Sequence, residues 1–240
     1  MRASIEKAKA QLYTDLIDNI HLNVVDFDGF GKDQIKQWGV SPDGFAQIAF
    51  QNAYTTLHGH NPATYEACST RAFFHGRTET IRTCSTASAE FCAYLNSTEN
   101  RDASFRSLAA DMLRAAIAKQ SQTAKNAAQG GGIDRHLLSL KMEVSEHGLL
   151  DGKLPEMFLD PIHARSSTWV ISTSNVTSPW LESFGFGPVC EHGYGVGYQV
   201  LNGSIPMQVT SWKSHPETDS SAFAKSIEDS FKTLEALLRN

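Results

Sequence analysis

The periodicity of this sequence changes well past its midpoint, and no other feature constrains the fold as strongly. Up to residue 147 helical spacing dominates, most clearly over 86–95, 102–128 and 134–147. From Thr168 the pattern turns to short β-rich runs, Thr168–Thr173, Tyr194–Val200 and Ile205–Trp212, set apart by Gly, Asn and Pro. A helical stretch over Asp219–Arg239 follows, and an earlier strand pattern, LNVVDF at 22–27, leads into a glycine-containing turn at Gly29–Lys32. Strands interspersed with helices in this way bury their apolar faces as stacked layers. The chain therefore predicts one α/β domain built on a mixed sheet with flanking helices. Its 240 residues show no internal repeat, low-complexity tract or long linker, although that length also accommodates two small domains.

Local signals sharpen several boundaries. Residues 4–19 carry Ile5, Ala8, Leu12, Leu16 and Ile17 near helical spacing. Ser41-Pro42-Asp43 is a helix start, with Ser as cap, Pro in the first turn and an acid at the positive end of the dipole. That helix is expected to run to about Leu57. Gly130-Gly131-Gly132 ends the 102–128 helix, and no Gly-Lys-Ser/Thr follows to make it a phosphate loop.

A net charge of −5 argues against general nucleic-acid binding, which needs a basic face, but leaves room for a local basic patch. Cys68, Cys84, Cys92 and Cys190 form neither a CxxC pair nor a zinc spacing, so free thiols of a reducing compartment are expected. The nine histidines are scattered, without H-E-x-x-H or a Cys/His cluster, so no metal is expected. No apolar run approaches the ~20 residues of a membrane span. The opening MRASIEKAKAQL is not a signal peptide, Glu6 and Asp15 break the acid-poor rule of transit peptides, and the closing Leu-Leu-Arg-Asn is not Ser-Lys-Leu.

The chemistry concentrates between Thr64 and Ser85. This stretch, TYEACSTRAFFHGRTETIRTCS, holds Tyr65, Glu66, Arg71, His75, Arg77, Thr78, Glu79, Thr80 and Arg82 among small residues. No clean stripe at i, i+3, i+4 and i+7 marks it as an amphipathic helix. It reads as a loop or strand edge holding a small polar ligand.

The block closely resembles the carnitine and choline acyltransferases, whose signature runs T-Y-E-x-A/S…R-x-F…G-R-T-[DE]-T-[IV]-R-S. Three further blocks match in order: FGKDQIK with SPD (Phe30–Lys36, Ser41–Asp43), IDRHLLSLK (Ile133–Lys141), and STSN followed by FGPVCEHGYGVGY (Ser172–Asn175, Phe186–Tyr198). The resemblance spans about residues 5–238 but only the C-terminal part of the much longer family members. It implies half of a chloramphenicol-acetyltransferase-like fold, with residues 1–240 forming a C-terminal substrate-binding domain that lacks the upstream catalytic-histidine half. It further implies reversible acyl transfer between coenzyme A and the hydroxyl of L-carnitine, with acyl-CoA as co-substrate, no permanently bound cofactor and a mitochondrial or peroxisomal setting.

Residue by residue, Lys32 and Lys36 would face the 3′-phosphate of coenzyme A and Asp43 its adenine end; from sequence alone the lysines also read as a solvated surface pair. Tyr65, Thr78 and Arg135 would hold carnitine's carboxylate, a guanidinium fork with hydroxyl donors being well suited to it. Taken alone, Arg135 also reads as a structural ion pair. Choline-specific members carry Val and Asn where this chain has Thr78 and Thr80, which favours carnitine. Ser172 and Ser174 share a face of a strand end; the second would donate to carnitine and to the oxyanion, worth about 10²–10³ in rate. Asn175 stands where the family usually has Gln, which weakens a cofactor contact. Phe186 either packs in the core or offers a ring face to the trimethylammonium group. Phe184 and Gly185, at the family's acyl-selectivity position, leave chain length unresolved.

The family's general base is a histidine in an E-H-x-x-x-D-G motif upstream of FGK, outside this chain. Glu146-His147-Gly148-Leu149-Leu150-Asp151-Gly152 spells the same pattern at the wrong place; it is expected to be coincidental, with His147 near an exposed helix end. A rival expectation is a non-catalytic module that binds coenzyme A, carnitine or a base-bearing partner. Absence of half the fold also predicts an exposed apolar face and association through it.

Overall fold

The computed structural model describes residues 1–97, 102–178 and 180–239; Asn240, last of the closing four residues, lies outside them. The β-rich runs pair into one mixed sheet of six strands, β1 (Ile20–Phe27), β2 (Thr64–Ser69), β3 (Thr78–Arg82), β4 (Ile171–Asn175), β5 (Tyr194–Tyr198) and β6 (Ile205–Trp212), in the order β1-β6-β5-β4-β2-β3. The β2–β4 and β4–β5 pairs are parallel and the other three antiparallel. This is the mixed α/β architecture that the sequence predicts.

The helices are α1 (Arg2–Gln11), which continues as a π-helical turn over Leu12–Ile17, α2 (Lys32–Gln37), α3 (Pro42–His58), α4 (Thr86–Ser97), α5 (Ala103–Ala128), α6 (Asp134–His147), α7 (Glu156–Leu159), α8 (Pro161–Ser167) and α9 (Ser220–Leu238). Their starts follow the capping chemistry. Ser41 Oγ accepts from Gly44 N at 3.2 Å, and Asp102 and Asp219 cap α5 and α9 in the same way. Gly59 closes α3 at φ 73°, a left-handed turn that favours glycine.

One expectation needs correction, and another is sharpened. The strand expected at Thr168–Thr173 begins at Ile171, because Asp160 Oδ1 accepts from Ile162 N at 2.7 Å and starts a helix that runs to Ser167. The Thr64–Ser85 block is a hairpin, β2 and β3, with β3 at the sheet edge.

Helices α3, α5 and α9 pack on one face of the sheet. The core there is aromatic: Phe45, Phe50 and Phe231 are fully buried, with Phe27 and Phe30 against them at ring separations of 4.9–6.4 Å. Each such ring contributes about 1.5–3 kcal/mol by burial. The other face is only partly covered. Leu22 and Val24 on β1 are 49% and 64% exposed, and every residue of α1 is exposed. The surface of 13515 Å² exceeds the roughly 10,600 Å² expected for a compact monomer of this mass. Among the described residues no helix is long and apolar enough to cross a membrane.

Candidate active site

Strand alternation decides which polar side chains meet. Tyr65 pairs with Ser172, Ser172 with Gly195, and Ser174 with Gly197, so all five share the face opposite α3, α5 and α9. Ser69, Ala67 and Tyr65 pair with Thr78, Thr80 and Arg82 respectively, which brings those β3 residues to the same face. The two β5 glycines explain what lies across it. A Cβ at Gly195 would stand 2.6 Å from Phe186 O, and one at Gly197 2.5 Å from Phe184 O. The segment around Phe184–Phe186 therefore rests directly on β5, and Thr210 Oγ1 donates to Phe186 O at 2.6 Å. Phe186 is half-buried on this face and lies outside the aromatic core.

Arg135 reaches the ladder from α6. Its Nη2 donates to the Tyr65 hydroxyl at 3.0 Å and to Thr78 Oγ1 at 3.4 Å, with its Cζ 5.7 Å from the Tyr65 ring. The three residues singled out from sequence thus come together around one guanidinium. Two residues of the same polar block, given no site role from sequence, fix its approach. Ile133, at the helix start, offers no capping side chain, and the buried Glu79 of β3 serves instead, its Oε1 accepting from Arg135 N at 3.2 Å. A carboxylate there also complements the dipole. Arg82 then clamps the neighbouring residue: Nε and Nη2 donate to Asp134 Oδ2 and Oδ1 at 3.0 and 2.6 Å, Nη1 donates to Ser166 O at 2.7 Å, and Cζ lies 4.7 Å from the Trp169 ring.

Beside this clamp is a cavity of about 340 Å³ lined by Arg135, Thr80, Lys141, Phe158, His163 and Trp169, among others. The Thr80 hydroxyl is buried without a partner among the described residues.

The helix face holds the other expected residues. Lys32 and Lys36 lie one turn apart on α2, half-buried and exposed respectively, and the buried Ile35 between them anchors the helix. Asp43 Oδ1 accepts from Asn175 Nδ2 at 2.8 Å and from the Tyr198 hydroxyl at 2.6 Å. Burial, and then the Asp43 charge, hold the Tyr198 phenol well above its usual range, so it stays a donor. Gln47 Nε2 donates to Tyr198 OH and to Thr173 Oγ1, and Thr173 Oγ1 donates to Tyr65 O at 2.9 Å. The strand bearing the two serines is thus tied from beneath to the strand bearing Tyr65. His147 is exposed at the last residue of α6, where the coincidental motif was expected to leave it. Among the described residues no group of three or more His, Cys, Asp or Glu side chains is arranged to hold a metal ion.

A positioned guanidinium and hydroxyl-bearing strands thus share one partly open face of the sheet. The chain belongs to the choline/carnitine O-acyltransferase family, whose model matches residues 1–229. It is 34% identical over 240 residues to carnitine O-acetyltransferase of Columba livia, covering all of this chain and 37% of that one. To the mitochondrial carnitine O-palmitoyltransferase 2 of Homo sapiens it is 38% identical over 234 residues, covering 97% of this chain and 34% of that one. To the peroxisomal carnitine O-octanoyltransferase of Bos taurus it is 36% identical over 230 residues, covering 95% and 36%. The chain therefore spans little more than a third of the length of these relatives. Among solved structures, a wax ester synthase/diacylglycerol acyltransferase from Marinobacter aquaeolei VT8 superposes with a TM-score of 0.48 at 10% identity, covering 92% of this chain and 50% of that one.

Proposed function

We propose that this chain supplies the coenzyme A and carnitine subsites of a carnitine O-acyltransferase, which moves an acyl group reversibly between the coenzyme A thiol and the carnitine hydroxyl. The observation that carries this reading is the convergence of Arg135, Tyr65 and Thr78 on one point of the open face. A guanidinium flanked by hydroxyls matches a carboxylate in charge and geometry. Choline has no carboxylate and would leave that charge unmatched, so carnitine is the acceptor. Phe186 would face the trimethylammonium group, which cannot donate a strong hydrogen bond. Lys32 and Lys36 would neutralise the 3′-phosphate, with Asp43 and Asn175 contacting the cofactor beyond it.

In the forward direction a base removes the carnitine hydroxyl proton, the oxygen attacks the thioester carbonyl, and the tetrahedral oxyanion collapses with loss of the thiolate, which takes up the proton. Ser174 would donate to the oxyanion, with Ser172 beside it. The base is a histidine contributed from outside this chain, and the exposed surface around α1 and β1 is where that contributing region, or a second copy, would pack. A purely binding role rests on the same subsites and differs only in turnover.

The test is thiol release from acetyl-, octanoyl- and palmitoyl-CoA by the purified chain, with and without L-carnitine, alongside calorimetric binding of each substrate. Binding of coenzyme A and carnitine without carnitine-dependent release is expected. Carnitine-dependent release would place a base within the chain, and failure to bind either ligand would overturn the proposal.

A further inference from the structure

Beneath the sheet lies a pair of carboxyl groups that the proposed chemistry does not use. Glu66, on β2, is 3% exposed, and its Oε2 accepts from Gln120 Nε2 at 2.8 Å. The same amide reaches Asp43 Oδ2 at 3.3 Å, and Gln120 is itself only 2% exposed. The shared amide brings the two carboxyl groups side by side. The side chains that hydrogen-bond to the pair are Gln120 on α5, Tyr198 on β5 and Asn175 on β4. None is cationic. Among the described residues neither carboxyl takes part in an ion pair.

A buried carboxyl beside a half-buried one, the two sharing one amide with no cation between them, cannot readily both be ionised. The two environments differ in which charge they favour. Asp43 sits in the first turn of α3, where the dipole supports an anion, and accepts from Asn175, Tyr198 and Gln120. Glu66 has no helix terminus and shares one amide. Burial, then the neighbouring Asp43 charge, pushes the Glu66 carboxyl well above the usual range.

We infer that Glu66 is a protonated carboxylic acid donating its hydrogen bond to the Asp43 carboxylate, and that it is a positioning residue for the coenzyme A end of the site. The second half of this inference rests on the function proposed above. The acid proton fixes Asp43, Asp43 fixes the Asn175 amide at the end of β4, and Ser174 precedes it on that strand. The adjacent Thr173 carries the same network to the Tyr65 carbonyl. One buried proton thereby sets the spacing between the cofactor and carnitine strands.

Infrared spectroscopy of the full chain at neutral pH tests the first half without any ligand. The carbonyl band of a protonated carboxyl should be present in the wild type and lost in Glu66→Gln; its absence from the wild type would overturn the acid–carboxylate pair. Calorimetric titration with coenzyme A tests the second. Glu66→Gln, whose amide can donate to Asp43 as the acid does, should bind within about twofold of wild type, whereas Glu66→Ala should lose roughly tenfold, the scale of one charge-assisted hydrogen bond. Wild-type affinity in Glu66→Ala, or an equal loss in both variants, would overturn the positioning role. A wild-type chain that shows the infrared band but does not bind coenzyme A would remove the proposed function and the positioning role with it, leaving the proton pair standing.

Discussion

Arg82 offers the sharpest test of how the site is held together. Its guanidinium joins edge strand β3 to the start of α6 and to the end of α8, through Asp134 and the Ser166 carbonyl, under the Trp169 ring. The side chains of Arg82 and Asp134 are 34% and 12% exposed, between the solvated pairs worth at most about 1 kcal/mol and the buried ones that cost about 3–5 kcal/mol to break. Two parallel bonds place this pair toward the stronger end, about 2 kcal/mol, and the lost contact with Trp169 adds about 0.5–1 kcal/mol. Arg82→Ala should therefore ease local opening of α6 by about 3 kcal/mol. Hydrogen exchange measured by mass spectrometry reads this directly. Amides of α6 and α8 should exchange about a hundredfold faster, at 1.36 kcal/mol per factor of ten, while β5 and β6 stay protected. Arg82→Lys keeps the charge without the fork and should recover only part of the protection. Unchanged exchange in α6, or a uniform loss across the sheet, would refute the clamp.

Other consequences are equally specific. Glu79→Ala removes the acceptor for the α6 start and should cost about 1–2 kcal/mol, read as faster exchange over Asp134–Leu138 with little effect on α3. Gly197→Ala places a methyl against Phe184 O and should destabilise the fold by about 1–3 kcal/mol while shifting the near-ultraviolet dichroism of the Phe184–Phe186 segment; an unperturbed spectrum would contradict that contact. Burial raises the Cys92 thiol from 9.0 to about 12, and burial with neighbouring groups raises the Tyr54 phenol from 10.0 to about 12. Both groups hold their protons more tightly when folded, so their contribution is complete at neutral pH and is lost as pH rises through about 9–12. Denaturant midpoints that held constant up to pH 11 would contradict this.

The sequence made the outline of the fold legible wherever one face of an element is apolar. Helices α3, α5, α6 and α9 lie where periodicity puts them, and Ser41, Asp102 and Asp219 cap the starts of α3, α5 and α9. The hairpin was harder to read, since Thr78, Thr80 and Arg82 on one face and Glu79 on the other make β3 polar on both sides. Helix α8 was missed although Asp160-Pro161 is a cap and a first-turn proline. Arg135, Tyr65 and Thr78 could be named from their resemblance to a family motif, but their meeting depends on Glu79 and Arg82, 56 and 53 positions from Arg135 and no closer to it in any local pattern. The meeting of Glu66 and Asp43 on the Gln120 amide is of the same kind. Nothing in the spacing of two acids 23 residues apart announces that a helix and a strand bring them to one shared amide.

On the function proposed above, the open face binds carnitine through its carboxylate. Isothermal titration of L-carnitine into the wild-type chain and into Arg135→Ala measures this most directly. Saturable one-site binding to the wild type is expected, weakened by about 1.5–3 kcal/mol in the variant, the range for a charged hydrogen bond. Equal affinities for the two proteins, or tighter binding of choline than of carnitine by the wild type, would contradict it.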